Sequence, residues 1–212
     1  MPKRLARHIV ELFVLSMSVG CLAHCTRVQE PRLEIPNEAW VPIFFEGTGA
    51  ASKPINELTR EAKLPSLRTI RMRGDDLEVR VWVGFGLQGV DGLVLRRSSN
   101  QWSAIHLHGM ADRPPFPSSQ QKLDAPKSGW EAAWRKLVEA GILTLPDASE
   151  LRCRTYIKDG TSYIVETNMN STYRTYLYDN PKYARCNEAR QMIRIGEMIG
   201  DEFSLDNFMI KD

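Results

Sequence analysis

Residues 77–83 read Leu-Glu-Val-Arg-Val-Trp-Val and indicate the fold class more clearly than any other part of the chain. Every second residue is aliphatic, which is the period of a β-strand with one face turned to a core. We therefore predict that Leu77, Val79, Val81 and Val83 point inward. The run 68–72 precedes this strand across Gly74-Asp75-Asp76, so the two runs predict a hairpin.

Further runs predict more antiparallel strands. Residues 93–96 and 102–107 are joined by Ser98-Ser99-Asn100, which predicts a second hairpin and a four-stranded meander. A second meander is predicted from the runs 151–157, 161–167 and 172–178.

Two segments carry the spacing of an amphipathic helix. In the first, Ser128 and Glu131 form a capping-box pattern, and apolar residues follow at helical spacing as far as Gly141. Asn180-Pro181 opens the second helical region through Asn187, and its apolar residues keep the same period from Ala189 to Phe203, with a tail through Phe208. We therefore predict an α+β fold: antiparallel β-meanders with two main amphipathic helices packed on one face.

The N-terminus predicts export. Residues 1–25 combine a basic start with a short apolar run, 12–23, which is typical of a signal peptide and too short to span a bilayer. Ser18-Val19-Gly20-Cys21 resembles a lipobox and predicts lipidation of Cys21; cleavage after Ala23 would instead release a soluble protein. We assign 26–65 to a Pro-rich tether leading into the domain and 66–212 to a single α+β domain.

Charge excludes one class of partner. The chain of 212 residues carries a formal charge of +2, and residues 26–212 contain equal numbers of basic and acidic side chains. Nucleic-acid binding usually requires a net or clustered basic excess, so no nucleic-acid partner is predicted.

The cysteines predict one disulfide. In an exported protein, Cys153 and Cys186 are interpreted first as a bridge, with two unpaired buried thiols as the alternative. Cys25 has no evident mate.

A glycine-rich stretch imitates a dinucleotide motif. Residues 84–89 fit G-x-G-x-x-G, but a strand follows where a helix would be needed to face the pyrophosphate. We interpret it as a hairpin connection and predict no cofactor.

Two patterns yield candidate sites. His106 and His108 share one side of a predicted strand and Asp112 follows closely, which predicts a metal site, with solvent-facing strand residues as the alternative. Tyrosine and arginine often anchor interfaces, so a partner-binding face is predicted at Tyr163, Tyr173, Arg174 and Tyr176. The alternative is that tyrosines simply suit strands.

These observations favour a non-enzymatic role. We expect an exported, envelope-associated binding protein that reaches the membrane through a lipid anchor and binds a protein or glycan. One alternative is a small exported metal-dependent hydrolase using His106, His108 and Asp112. The other is an inhibitor or immunity-type protein whose loop 109–127 inserts into its target.

Overall fold

The computed structural model describes residues 32–48, 53–85, 89–110, 118–151 and 160–209, and these ranges build one seven-stranded sheet. The strands lie in the order β1-β7-β6-β2-β3-β4-β5, and all neighbouring pairs are antiparallel except the parallel pair β1 and β7. Their bounds are β1 Arg32–Glu34, β2 Leu77–Gly84, β3 Val90–Ser98, β4 Gln101–Gly109, β5 Ser118–Leu123, β6 Ser162–Met169 and β7 Thr172–Asp179.

Helices cover both faces of this sheet. Their bounds are α1 Trp40–Glu46, α2 Ile55–Glu61, α3 Trp130–Glu139 and α4 Asn187–Phe203. Helices α3 and α4 share a core with Val79, Val81 and Val83 of β2. This confirms an α+β fold whose two main amphipathic helices lie on one face, and it confirms the inward direction of the alternating aliphatic residues.

The second face of the sheet is also buried. Helices α1 and α2 pack there around Trp82, which is fully buried. The segment predicted to be a tether therefore supplies two helices to the fold. Trp40 and Phe45 of α1 and Ile55 and Leu58 of α2 all lie in this second core.

A buried polar network lies on the same face. Both the Nε and an Nη of Arg80 bind Glu78, at 2.7 and 2.6 Å, and the guanidinium also donates to the carbonyl of Pro65. Glu166 accepts hydrogen bonds from the Trp82 indole at 2.8 Å and from the Tyr173 hydroxyl at 3.0 Å. These partners satisfy charges and polar groups that would otherwise be costly to bury.

The predicted hairpin between 68–72 and 77–83 is wrong. Residues Leu67–Thr69 form a 3-10 turn, and β2 pairs with β3 and β6 instead. The Asn168 side chain donates to the carbonyls of Leu67 and Ile70, both at 2.8 Å. These long-range hydrogen bonds hold the segment across the sheet rather than alongside β2.

The predicted capping box is also wrong. The backbone N–H and hydroxyl of Ser128 both bind the carboxylate of Glu202, at 2.8 Å each, which ties the start of α3 to α4. Helix α3 begins after Gly129, whose φ of 82° is in the left-handed region that glycine adopts easily.

The loop predicted at 109–127 contains strand β5, which pairs with β4 at the edge of the sheet. The run predicted at 151–157 falls mainly on residues outside the described ranges. Gly84 ends β2 and Gly89 immediately precedes β3, as expected for a hairpin connection. Cys186 is disulfide-bonded, but Cys153 lies outside the described ranges, so their pairing stays a prediction.

Among the helices that the structure describes, none is long and apolar enough to cross a bilayer.

Candidate functional site

A carboxylate and two imidazoles meet on the face of the sheet that carries α4. Asp91 on β3 is paired with His108 on β4, so their side chains lie on the same face, and His106 lies two residues away on that face. Asp91 Oδ1 is 2.7 Å from His106 Nε2 and 3.0 Å from His108 Nδ1. One carboxylate oxygen thus binds both rings.

The chain beyond α4 closes this cluster from the other side. Asn207, in the 3-10 turn Asp206–Phe208, donates to Asp91 Oδ2 at 3.1 Å. The Phe208 ring packs edge-on against His106, with 6.5 Å between the ring centroids. We call Asp91, His106, His108 and Asn207 the imidazole site.

The charge of Asp91 determines which nitrogen of each neutral imidazole ring carries the proton. Burial by itself would raise the pKa of Asp91, but hydrogen bonds from His106 and Asn207, together with the nearby imidazoles, lower that pKa below its usual value. Asp91 is therefore a carboxylate near neutral pH and acts only as an acceptor. Each histidine must donate to it, so neutral His106 carries its proton on Nε2 and neutral His108 on Nδ1.

The consequence is a pair of outward-facing proton acceptors. With those tautomers set, His106 Nδ1 and His108 Nε2 each keep a free lone pair. The two side chains are 19% and 30% exposed, whereas Asp91 is buried beneath them. The arrangement can therefore accept hydrogen bonds or protons from a molecule that approaches the edge of the sheet formed by β4 and β5.

The structure brings together two of the three predicted metal ligands. His106 and His108 lie side by side, while Asp112 is outside the described ranges, so the set that includes it stays a prediction. Within the described ranges, no group of three His, Cys, Asp or Glu side chains has a geometry that could hold a metal ion. The ring nitrogens that face Asp91 are hydrogen-bonded to it instead.

Asp91 was missed by the sequence analysis, although a signal for it exists. The β3–β4 turn has two central residues, Ser99 and Asn100, with φ of 50° and 64°, as in the common two-residue hairpin turns. Counting outward from this turn pairs Asp91 with His108. The register of the hairpin therefore contains the pairing.

The predicted partner-binding face requires correction, because its tyrosines are interior. Tyr163, Tyr173 and Tyr176 are all fully buried. Their hydroxyls donate to the carbonyl of Phe208, to Glu166 and to the carbonyl of Ile142, respectively. Burial raises the pKa of each phenol, so each remains a donor. Tyrosine side chains enclosed in this way cannot contact a partner.

Arg174 also has internal partners. Its guanidinium donates to the carbonyls of Leu143 and Leu145, and its carbon lies 5.1 Å from the centre of the Tyr176 ring. It lines a polar cavity of about 340 Å³ near Glu34. We interpret Arg174 as a residue that fastens the 143–145 segment to β7.

The imidazole site makes the stability of the protein depend on acid pH. Because the pKa of Asp91 is lower in the folded protein than in the unfolded chain, its contribution is complete above about pH 4 and is lost as the pH falls through the folded value. We expect Asp91→Asn to lower the free energy of unfolding by about 1–3 kcal/mol at pH 7, because the histidine donors lose a charged acceptor. Urea unfolding from pH 7 to pH 2 should show the variant converging on the wild type in acid. Parallel curves across that range would contradict this account.

Comparisons with known proteins identify no relative of this chain, so the site is interpreted from its own geometry. The sequence matches no protein-family model and no curated protein, and the fold matches no solved structure.

Proposed function

We propose that this chain is an exported, envelope-associated binding protein whose partner contacts the imidazole site and the neighbouring strand β5. The observation that carries the proposal is the buried Asp91 carboxylate, which holds two partly exposed imidazoles in one orientation. Such preorganisation reduces the entropy that binding would otherwise cost.

The chemistry of the site suggests what the partner presents. In their neutral forms the two imidazoles have outward lone pairs that accept hydrogen bonds, and β5 adds the exposed polar run Ser-Ser-Gln-Gln at 118–121. Hydroxyl and amide donors, as found on glycans and polypeptides, fit this surface. An edge strand also offers backbone groups to an extended partner.

The proposed location is supported by the leader alone. The basic start, the short apolar run and the cysteine that follows it are the features of an exported lipoprotein. Lipidation of Cys21 would place the protein at a membrane surface through several acyl chains.

A photocrosslinking experiment tests the binding proposal. A benzophenone amino acid at position 121 would lie on the same face as His106 and opposite it in the β4–β5 register. In the native host, irradiation should yield a discrete adduct in the envelope fraction. The adduct should weaken when His108 is replaced by Ala.

A second position provides the control. Tyr183 is 58% exposed and lies in the 3-10 turn Pro181–Tyr183, outside the imidazole site, so the same probe at 183 should give no such adduct. Intact mass of the recovered protein reports the mature N-terminus and any acyl chains. Equal adducts at both positions, or a full-length chain that keeps its leader in the cytosol, would overturn the proposal.

A further inference from the structure

A serine lies in the same cross-strand row as His108 and Asp91. The register pairs Asp91 with His108 across β3 and β4, and His108 with Ser119 across β4 and β5. Residues paired in this way point to the same face, with Cβ atoms of neighbouring strands about 4.5–5.5 Å apart. Across β3, β4 and β5 the row therefore consists of the Asp91 carboxylate, the His108 imidazole and the Ser119 hydroxyl.

The order of atoms in this row is the one that activates a hydroxyl. Asp91 binds His108 through Nδ1, at 3.0 Å, so the basic nitrogen is Nε2. Strand β4 lies between β3 and β5, so a ring that turns Nδ1 toward Asp91 on β3 is expected to turn Nε2 away from β3, in the direction of β5. Ser119 is exposed on that strand. A base oriented by a carboxylate and adjacent to a hydroxyl is the arrangement that nucleophilic acyl transfer requires.

We propose that Ser119, His108 and Asp91 form a catalytic site that cleaves carboxylic esters by acyl transfer through Ser119. This inference rests on the proposed function, because it uses the same surface, the imidazole site and β5. It assigns the ligand of that surface to the carboxylic esters. It goes beyond binding because it assigns a covalent step.

The reaction balances without a further reagent. Ser119 Oγ attacks the ester carbonyl carbon, its proton moves to His108 Nε2, and the bond from the acyl carbon to the leaving alkoxide oxygen breaks as Nε2 returns the proton to that oxygen. A water molecule then attacks the acyl carbon while Nε2 takes its proton, and the bond from the acyl carbon to Ser119 Oγ breaks as Nε2 passes the proton to Oγ. The products are a carboxylic acid and an alcohol. Asp91 keeps its charge throughout and stabilises the imidazolium.

In the structure, Ser119 and His108 do not yet have the contact that catalysis requires. Among the described residues Ser119 Oγ has no hydrogen bond to His108, and rotation about χ1 is the movement that would bring it to Nε2; such contacts often tighten only when substrate binds. Gln121 lies on the same face of β5 and carries an amide N–H of the kind that stabilises an oxyanion.

Ser118 provides a matched control for Ser119. It is the adjacent residue on the same exposed strand, but its side chain points to the opposite face and its hydroxyl donates to Glu61. A difference in reactivity between the two serines therefore reports the neighbouring His108 and not the exposure of β5.

The test is labelling of the exported full-length chain with a fluorophosphonate probe, followed by mass mapping of the modified residue and by hydrolysis of p-nitrophenyl esters. We expect a single adduct on Ser119, no change in Ser118→Ala, and loss of both labelling and hydrolysis in Ser119→Ala. His108→Gln should slow labelling by about 100-fold or more, the usual size of general-base catalysis.

Three outcomes overturn the inference: no adduct on Ser119 under conditions that fully label a known serine hydrolase, equal labelling of Ser118, or labelling unaffected by His108→Gln. Photocrosslinking from position 121, in a chain that keeps Ser119, separates the two proposals. A crosslink there together with no adduct on Ser119 rejects the ester chemistry alone, whereas absence of both the crosslink and the adduct rejects binding as well.

Discussion

Replacing Glu78 with Leu is expected to lower the free energy of unfolding by about 3–5 kcal/mol. Glu78 and Arg80 are each about 1% exposed, and Glu78 holds two nitrogens of the Arg80 guanidinium. Without that carboxylate, Arg80 retains the Pro65 carbonyl but loses its ion-pair partner while its charge stays buried. Urea unfolding followed by far-UV circular dichroism at pH 7 measures the loss.

The double variant distinguishes a buried ion pair from a simple loss of packing. Glu78→Leu combined with Arg80→Met removes both charges and keeps apolar side chains of similar volume, so its stability should lie within about 1 kcal/mol of wild type or exceed it. Lys127→Met is the control, because its ion pair with Asp201 is exposed and should contribute less than about 1 kcal/mol. A double variant that is less stable than either single variant would contradict the ion-pair explanation.

Replacing Gly92 with Ala should cost about 3 kcal/mol, at the upper end of the range for overpacked cores. A Cβ at position 92 would lie 2.2 Å from Cζ3 and 2.4 Å from Cε3 of Trp82, closer than carbon atoms approach. The ring cannot move aside easily, because it is fully buried and its indole N–H is held by Glu166. Thermal and urea unfolding should both detect the change.

A neighbouring glycine controls for the change in backbone freedom. Gly109 is also in a strand, β4, and a Cβ there would meet its nearest atom at 3.2 Å, a side-chain methyl of Val90. Gly109→Ala should therefore change stability by less than about 1 kcal/mol. In a Trp82→Phe background, where the ring is smaller, Gly92→Ala should be less damaging than in wild type. Equal losses in the two backgrounds would show that Trp82 is not the cause.

The local patterns predicted several elements correctly. The alternation in 77–83 correctly predicts which side chains of β2 face α3 and α4, and the turn at Ser99-Asn100 correctly predicts the hairpin of β3 and β4. The apolar spacing of α4 likewise predicts its buried side. These features depend on residues a few positions apart, so the sequence contains them directly.

The candidate site was only partly predictable. His106 and His108 were identified because they share one side of a strand. Asp91 lies on the adjacent strand of the same hairpin, so the hairpin register contains its pairing with His108, whereas Asn207 approaches from an element distant in the sequence. Ser119 was missed for another reason: its stretch has the composition of a loop, although β5 forms there.

Only the tertiary structure showed how deeply the side chains on each face of the sheet are buried. Periodicity tells which residues of a strand point the same way, but not whether another element covers them. The tyrosines of β6 and β7 have a pattern that suits an exposed recognition surface equally well, and the structure buries them under α4 and the 65–72 segment. Glu78 and Arg80 have the polar character of a solvated face, yet they are enclosed because residues near Pro65 fold across them. Burial follows from long-range packing, whereas the local pattern of residues indicates only the direction in which each side chain points.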